Sequence, residues 1–110
     1  QKHVDEGNAE AQFHLGDRYR TGRMGLKKSL KRAFQFFERA AAQGHAVAQN
    51  SLGCHYQNGD GVKIDYKTAA QLFRRAAEQG HPEAQNNLGC IFNIGNGVVQ
   101  SHEEAVRWWR

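Results

Sequence analysis

Residues 48–80 read AQNSLGCHYQNGDGVKIDYKTAAQLFRRAAEQG, and the spacing of their apolar side chains decides the fold. Ala48, Leu52 and Tyr56 step by four along one stripe, while Ala69, Leu72, Phe73, Ala76 and Ala77 follow i, i+3, i+4, i+7, i+8. Both are signatures of amphipathic helices. Gly59-Asp60-Gly61 interrupts them with residues that reach positive φ at little cost. The stretch predicts two helices joined by a glycine-punctuated turn.

The same pattern recurs on both sides. Leu15-Gly16 and Leu88-Gly89 stand 37 residues before and 36 after Leu52-Gly53, and Tyr19/Phe92, Ala33/Ala105 and Phe37/Trp109 keep step. A repeat of this length is one supersecondary unit that buries its apolar face only by stacking on its neighbours. The expected fold class is therefore all-α, with units at 7–43, 44–79 and 80–110, the last incomplete. The expected organisation is a single repeat domain over 1–110, a fragment of a longer solenoid. Residues 1–6 are expected to be the tail of an earlier second helix.

Punctuation agrees with periodicity. Ser29, Asp65 and Ser101 each lie four residues before the alanine that opens a second helix, where a side-chain oxygen caps an orphan N–H. Ser101 and Glu104 form a capping-box pattern, and Glu103 precedes Arg107 by four. Pro82 suits a first turn, and Gly44 and Gly80 suit left-handed C-caps. Gly16, Gly53 and Gly89 instead fall inside helices, where glycine costs about 1 kcal/mol relative to alanine. Close approach of the partner helix is the expected compensation.

Composition narrows the function classes. The 110 residues carry 12 glycines and one proline, which excludes collagen-like and Pro-rich disordered classes. Apolar runs are too short for a membrane span of about 20 residues. Net charge is +4, concentrated in residues 1–43, with Arg18, Arg20, Arg23, Lys27, Lys28, Lys31 and Arg32 supplying most of it. Two readings stand: an anionic partner, nucleic acid included, steered to that end, or a solvated helix face. Cys54 and Cys90 occupy equivalent repeat positions, about 8–10 Å apart across stacked helices, too far for a disulfide. Two free thiols fit a reducing, cytoplasmic compartment.

Taken together, Ala-x-x-x-Leu-Gly-x-x-Tyr, Gly-x-Gly-Val, Asp-x-x-x-Ala and Phe-x-x-Ala-Ala-x-Gln-Gly resemble the Sel1-like repeat, a 36-residue relative of the tetratricopeptide repeat. The resemblance covers nearly the whole chain. It implies a right-handed superhelical solenoid of antiparallel helix pairs whose first helices line a concave surface. It also implies a non-enzymatic scaffold or adaptor for protein binding, as in protein quality control and bacterial signalling. The first unit departs from the pattern, with Met24-Gly25-Leu26 where Gly-Val is usual. The chain also lacks the paired cysteines of a cysteine-rich bacterial subgroup that carries β-lactamase-type names.

By analogy with tetratricopeptide repeats, four positions on each first helix face the groove. They give Phe13, Asp17, Arg20, Asn50, Cys54, Gln57, Asn58, Asn86, Cys90 and Asn93 as partner-binding residues, with Thr21 and Ile94 in the same rows. An amide ladder offers donors and acceptors to an extended peptide, and Arg20 would favour acidic ones. The alternative is that asparagine merely tolerates a wet surface. No catalytic residue, metal site or cofactor is expected. The histidines are scattered, with His45 and His81 at helix starts, and Cys54 and His55 diverge by about 100° on a helix. No phosphate-cradling Gly-x-x-x-x-Gly-Lys occurs. Trp108 and Trp109 predict an exposed apolar end, and so possible self-association by end-to-end stacking.

Overall fold

The structure is a computed structural model that describes residues 8–22 and 27–109. Within them lie six helices: α1 (Ala9–Thr21), α2 (Leu30–Ala42), α3 (Ala46–Asn58), α4 (Tyr66–Glu78), α5 (Pro82–Ile94) and α6 (His102–Trp109). No strand occurs among the described residues. The expected tail at 1–6 and the longer first loop at 23–25 lie outside them. Each helix packs on its sequence neighbours, within a pair and from the second helix of one pair onto the first of the next. Contacts run in opposite directions, Gln12 meeting Gln43 while the Ser29 N–H donates to the Tyr19 carbonyl, so paired helices are antiparallel. The result is an all-α solenoid of helix pairs, 47 × 27 × 18 Å.

Capping follows the sequence closely. Ser29 Oγ, Asp65 Oδ1 and Ser101 Oγ each accept from the backbone N–H three residues on, at 3.1 Å. The second helices α2 and α4 end in matching motifs. His45 and His81 donate back to the Ala40 and Ala76 carbonyls, and Gly44 and Gly80 donate to Ala41 and Ala77. Both glycines sit at φ +89°, the left-handed turn that this ending requires. One charge pairing differs from expectation: Arg107 binds Glu104 at 2.8 Å, one turn position closer than Glu103.

The helical glycines let rings close onto backbone. A β-carbon on Gly16 would lie 2.9 Å from the Phe37 ring, and one on Gly53 would lie 2.8 Å from the Phe73 ring. At Gly89 the indole of Trp109 takes the same place. Phe37 and Phe73 are fully buried, and with Ala33, Ala40, Ala69 and Ala76 they form the spine of two adjoining cores. Burying such a ring contributes about 1.5–3 kcal/mol, which outweighs the glycine penalty of about 1 kcal/mol. At the last pair, Val106 and Trp109 remain exposed, and Trp108 is half-buried with its Nε1 enclosed and without a hydrogen-bond partner among the described residues.

Candidate functional site

The first helices α1, α3 and α5 stand side by side and carry the sequence-predicted site residues. What aligns them is a chain of glutamine contacts that the sequence reading did not single out. Gln43 donates to Gln12 Oε1 at 2.9 Å, and Gln79 donates to Gln49 Oε1 at 2.8 Å. Gln49 and Gln85 donate to the Ala41 and Ala77 carbonyls that close the preceding pair. Gln12 and Gln49 are buried, where an amide is tolerated only with partners. The signal was available: Ala-x₀-Gln stands unbroken as Ala11-Gln12, Ala48-Gln49 and Ala84-Gln85.

The ten predicted residues do not form one uniform row. Asn50 is only 5% exposed; it donates to Glu83 Oε1 at 3.4 Å and accepts from Asn87 Nδ2 at 3.0 Å. It therefore bridges α3 to α5 through Glu83 and Asn87. Phe13 is packed rather than open: its ring stacks on His45 at 5.2 Å and leans on Phe37 at 5.5 Å. Asp17 and Arg20 pair with each other at 2.6 Å within α1. Asn93 Oδ1 accepts from His102 Nδ1 at 2.7 Å, joining α5 to α6. Asn58, Asn86 and Cys90 are exposed, and Gln57 is partly so. The Asn86 backbone carbonyl accepts from Trp109 Nε1 at 3.4 Å.

Electrostatics at this face suppress reactivity. Burial, then the nearby Glu83 and Asp60 charges, push the Cys54 thiol up, so it stays protonated near neutral pH and makes a poor nucleophile. Burial against Phe13 pushes the His45 imidazole down, and its Nδ1 accepts from Ala48 N–H at 3.1 Å, which caps α3 as a neutral ring. His55 is buried and donates from Nδ1 to the Asp60 carbonyl at 2.7 Å, with its ring edge-on to Phe37. Among the described residues no three His, Cys, Asp or Glu side chains converge as metal ligands. No described helix is long and apolar enough to cross a membrane.

A concavity of about 780 Å³ opens elsewhere, against the outer face of the α1–α2 pair, with Leu15, Arg18, Phe36 and Arg39 in its lining. None of the ten predicted residues lines it. The equivalent Leu52 and Leu72 in the next pair are buried in the core that α2 joins.

Comparisons with known proteins agree with this geometry. The family profile described as Sel1 repeat matches residues 9–45, 46–81 and 82–110, units that open at the first helices α1, α3 and α5. Comparison with curated proteins gives no match. Among solved structures, the chain is 43% identical to c5321, described as a protective antigen present in uropathogenic Escherichia coli strains displaying an SLR fold. The TM-score is 0.89, covering 96% of this chain and 22% of that one. It is 33% identical to a Sel1 repeat protein from Oxalobacter formigenes, with a TM-score of 0.92, covering 98% of this chain and 44% of that one. Helicobacter pylori cysteine rich protein B shares the fold at 23% identity and a TM-score of 0.73, over 97% of this chain and 86% of that one. The chain thus spans less than half the length of the first two. Proteins of this kind are generally helical repeat scaffolds for protein interaction and are typically non-catalytic. With its three profile matches, its recurring Leu-Gly pairs and its stacked helix pairs, the chain belongs to the Sel1 repeat family.

Proposed function

We propose that this chain is a non-enzymatic interaction scaffold that holds a peptide or partner protein against its first helices. The observation that supports it is a contrast on one face. Asn50, Gln49 and Gln12 are buried and bonded between elements, so the helices are fixed relative to each other. The Asn58 and Asn86 side chains on the same helices are exposed and make no hydrogen bond among the described residues. A rigid frame carrying uncommitted amides binds at low entropic cost, because little ordering remains to be done on association. Gln57 and Cys90 extend the contact surface, with Cys54 and Asn93 at its floor. Phe13 and Asn50 act as supports beneath it, and the paired Asp17 and Arg20 mark its first-unit edge. An adaptor role in signalling fits this arrangement.

Selection of binders from a displayed peptide library, followed by titration, tests the reading. Asn58→Ala combined with Asn86→Ala is expected to weaken a selected peptide by about tenfold, equivalent to one or two lost hydrogen bonds, with helicity unchanged. Unchanged affinity in that variant would remove the first-helix face from the account.

A further inference from the structure

A second surface lies on a different part of the solenoid, where each inter-helix loop meets the start of the preceding second helix. The contact is close: a β-carbon on Gly61 would sit 2.7 Å from the Leu30 carbonyl and 3.2 Å from Lys31 Cα, and one on Gly22 would sit 3.2 Å from Lys28 Cβ. Gly61 thereby brings the loop that carries Lys63 against the start of α2, where Lys31 and Arg32 stand, while Gly22 holds Lys28 beside the first loop. Lys67 takes at the start of α4 the place that Lys31 takes on α2, and with Lys27 these make six cations on the loop edge. All six are exposed, and none forms an ion pair among the described residues. Arg32 lies over the Tyr19 ring at 5.7 Å, which holds its guanidinium at the edge. Of the nearby carboxylates, Asp65 has both oxygens occupied by Thr68 in capping α4. The third unit breaks the run: Val99, Gln100, Glu103 and Glu104 stand where Lys63, Ile64, Lys67 and Thr68 stand in the second.

We propose that this edge is a docking surface for an acidic polypeptide segment that also carries apolar side chains. Charge complementarity sets the sign of the partner, since six cations face solvent and Asp65, the carboxylate beside Lys67, is committed to capping α4. The apolar requirement comes from Ile64 and Tyr66, 48% and 42% exposed, which sit between Lys63 and Lys67. A nucleic-acid strand fits less well. Asp65 interrupts the cationic run that a phosphate backbone would follow, and Tyr66 is the one exposed ring there for base stacking. The surface is separate from the first-helix face, so either binding mode stands or falls without the other.

Fluorescence anisotropy of the intact chain with a labelled peptide of alternating glutamate and leucine tests it, with labelled oligothymidylate of equal charge as the second probe. The peptide is expected to bind, and Lys31→Gln/Lys63→Gln/Lys67→Gln is expected to weaken it by about tenfold, the sum of modest exposed pairs. The matching arginine substitutions at those three positions should retain binding. Arg18→Gln/Arg39→Gln/Arg75→Gln removes as much charge from elsewhere and should change affinity little. Tighter binding of oligothymidylate through the same lysines would overturn the proposal in favour of nucleic acid. Equal losses in both triple variants, or no peptide binding at low salt, would overturn it outright.

Discussion

The two joints between repeats have the same frame and different fillings. At the first, Phe34 of α2 packs on His55 and Tyr56 of α3, with ring centroids 6.1 and 5.5 Å apart, and the buried His55 needs the Asp60 carbonyl to be tolerated. At the second, the equivalent positions hold Ala70 and Ile91, both buried, and no polar ring. A large ring against an imidazole has been exchanged for a methyl against a branched aliphatic. Polar bridging shifts the opposite way: Phe13 stacks on His45 at the first joint, whereas Asn50 in the same register binds Glu83 and Asn87 at the second. The repeat thus fixes volume and helix spacing, and leaves each joint free to choose its chemistry.

The largest effect should come from Phe37, which serves both its own pair and the first joint. Phe37→Ala is expected to cost about 3–5 kcal/mol in urea unfolding, since a fully buried ring leaves a cavity that tight helices cannot close. The half-buried Phe34→Ala should cost distinctly less. Importing the first joint's chemistry into the second tests the comparison from the other side. Ile91→His places an imidazole opposite Ala70 and should lose about 1–3 kcal/mol, because a polar ring replaces a buried aliphatic side chain where Ala70 offers no aromatic face to pack it.

Smaller effects separate supports from exposed amides. Asn50→Ala should cost about 1–2 kcal/mol because Glu83 and Asn87 lose a partner. Asn86→Ala should stay within about 0.5 kcal/mol, as surface changes do. The smallest effect is a pH dependence at the first joint. Burial holds the His45 pKa below its unfolded value of about 6.5. Its contribution is therefore present above that value and is lost as pH falls through the folded pKa, where protonation also ends the cap on α3. His45→Asn keeps a capping acceptor and should flatten that part of the stability profile in chemical denaturation between pH 7 and 5.

Much of this architecture was legible from residues alone. Helix stripes, the caps at Ser29, Asp65 and Ser101 and the left-handed glycines follow from local rules that each unit repeats, and close approach at Gly16, Gly53 and Gly89 is expected, though not which ring makes it. The face residues were less legible, because spacing gives a helix side but not which neighbour that side meets. Asn50 and Asn86 share a register, yet Asn50 is buried under α5, the first helix of the next unit, while Asn86 is exposed on α5 itself. Phe13 in that register stacks on His45, a residue that α3 contributes from its N-cap. The glutamine chain is hard to see for a different reason: it follows no apolar period, and its signal is the identity of Gln12, Gln49 and Gln85 in all three units. The ring pair at 108–109 behaves as its register implies at Gly89, but Trp109 remains 45% exposed where Phe37 and Phe73 are covered.

The central claim is that a bare backbone at Gly53 exists to admit the Phe73 ring, and a double-mutant cycle measures it directly. Gly53→Ala alone should destabilise by about 1–3 kcal/mol, because the new methyl collides with the ring. In a Phe73→Leu background the same change should cost little or even stabilise, as alanine is the better helix former by about 1 kcal/mol. An identical cost in both backgrounds would contradict the account.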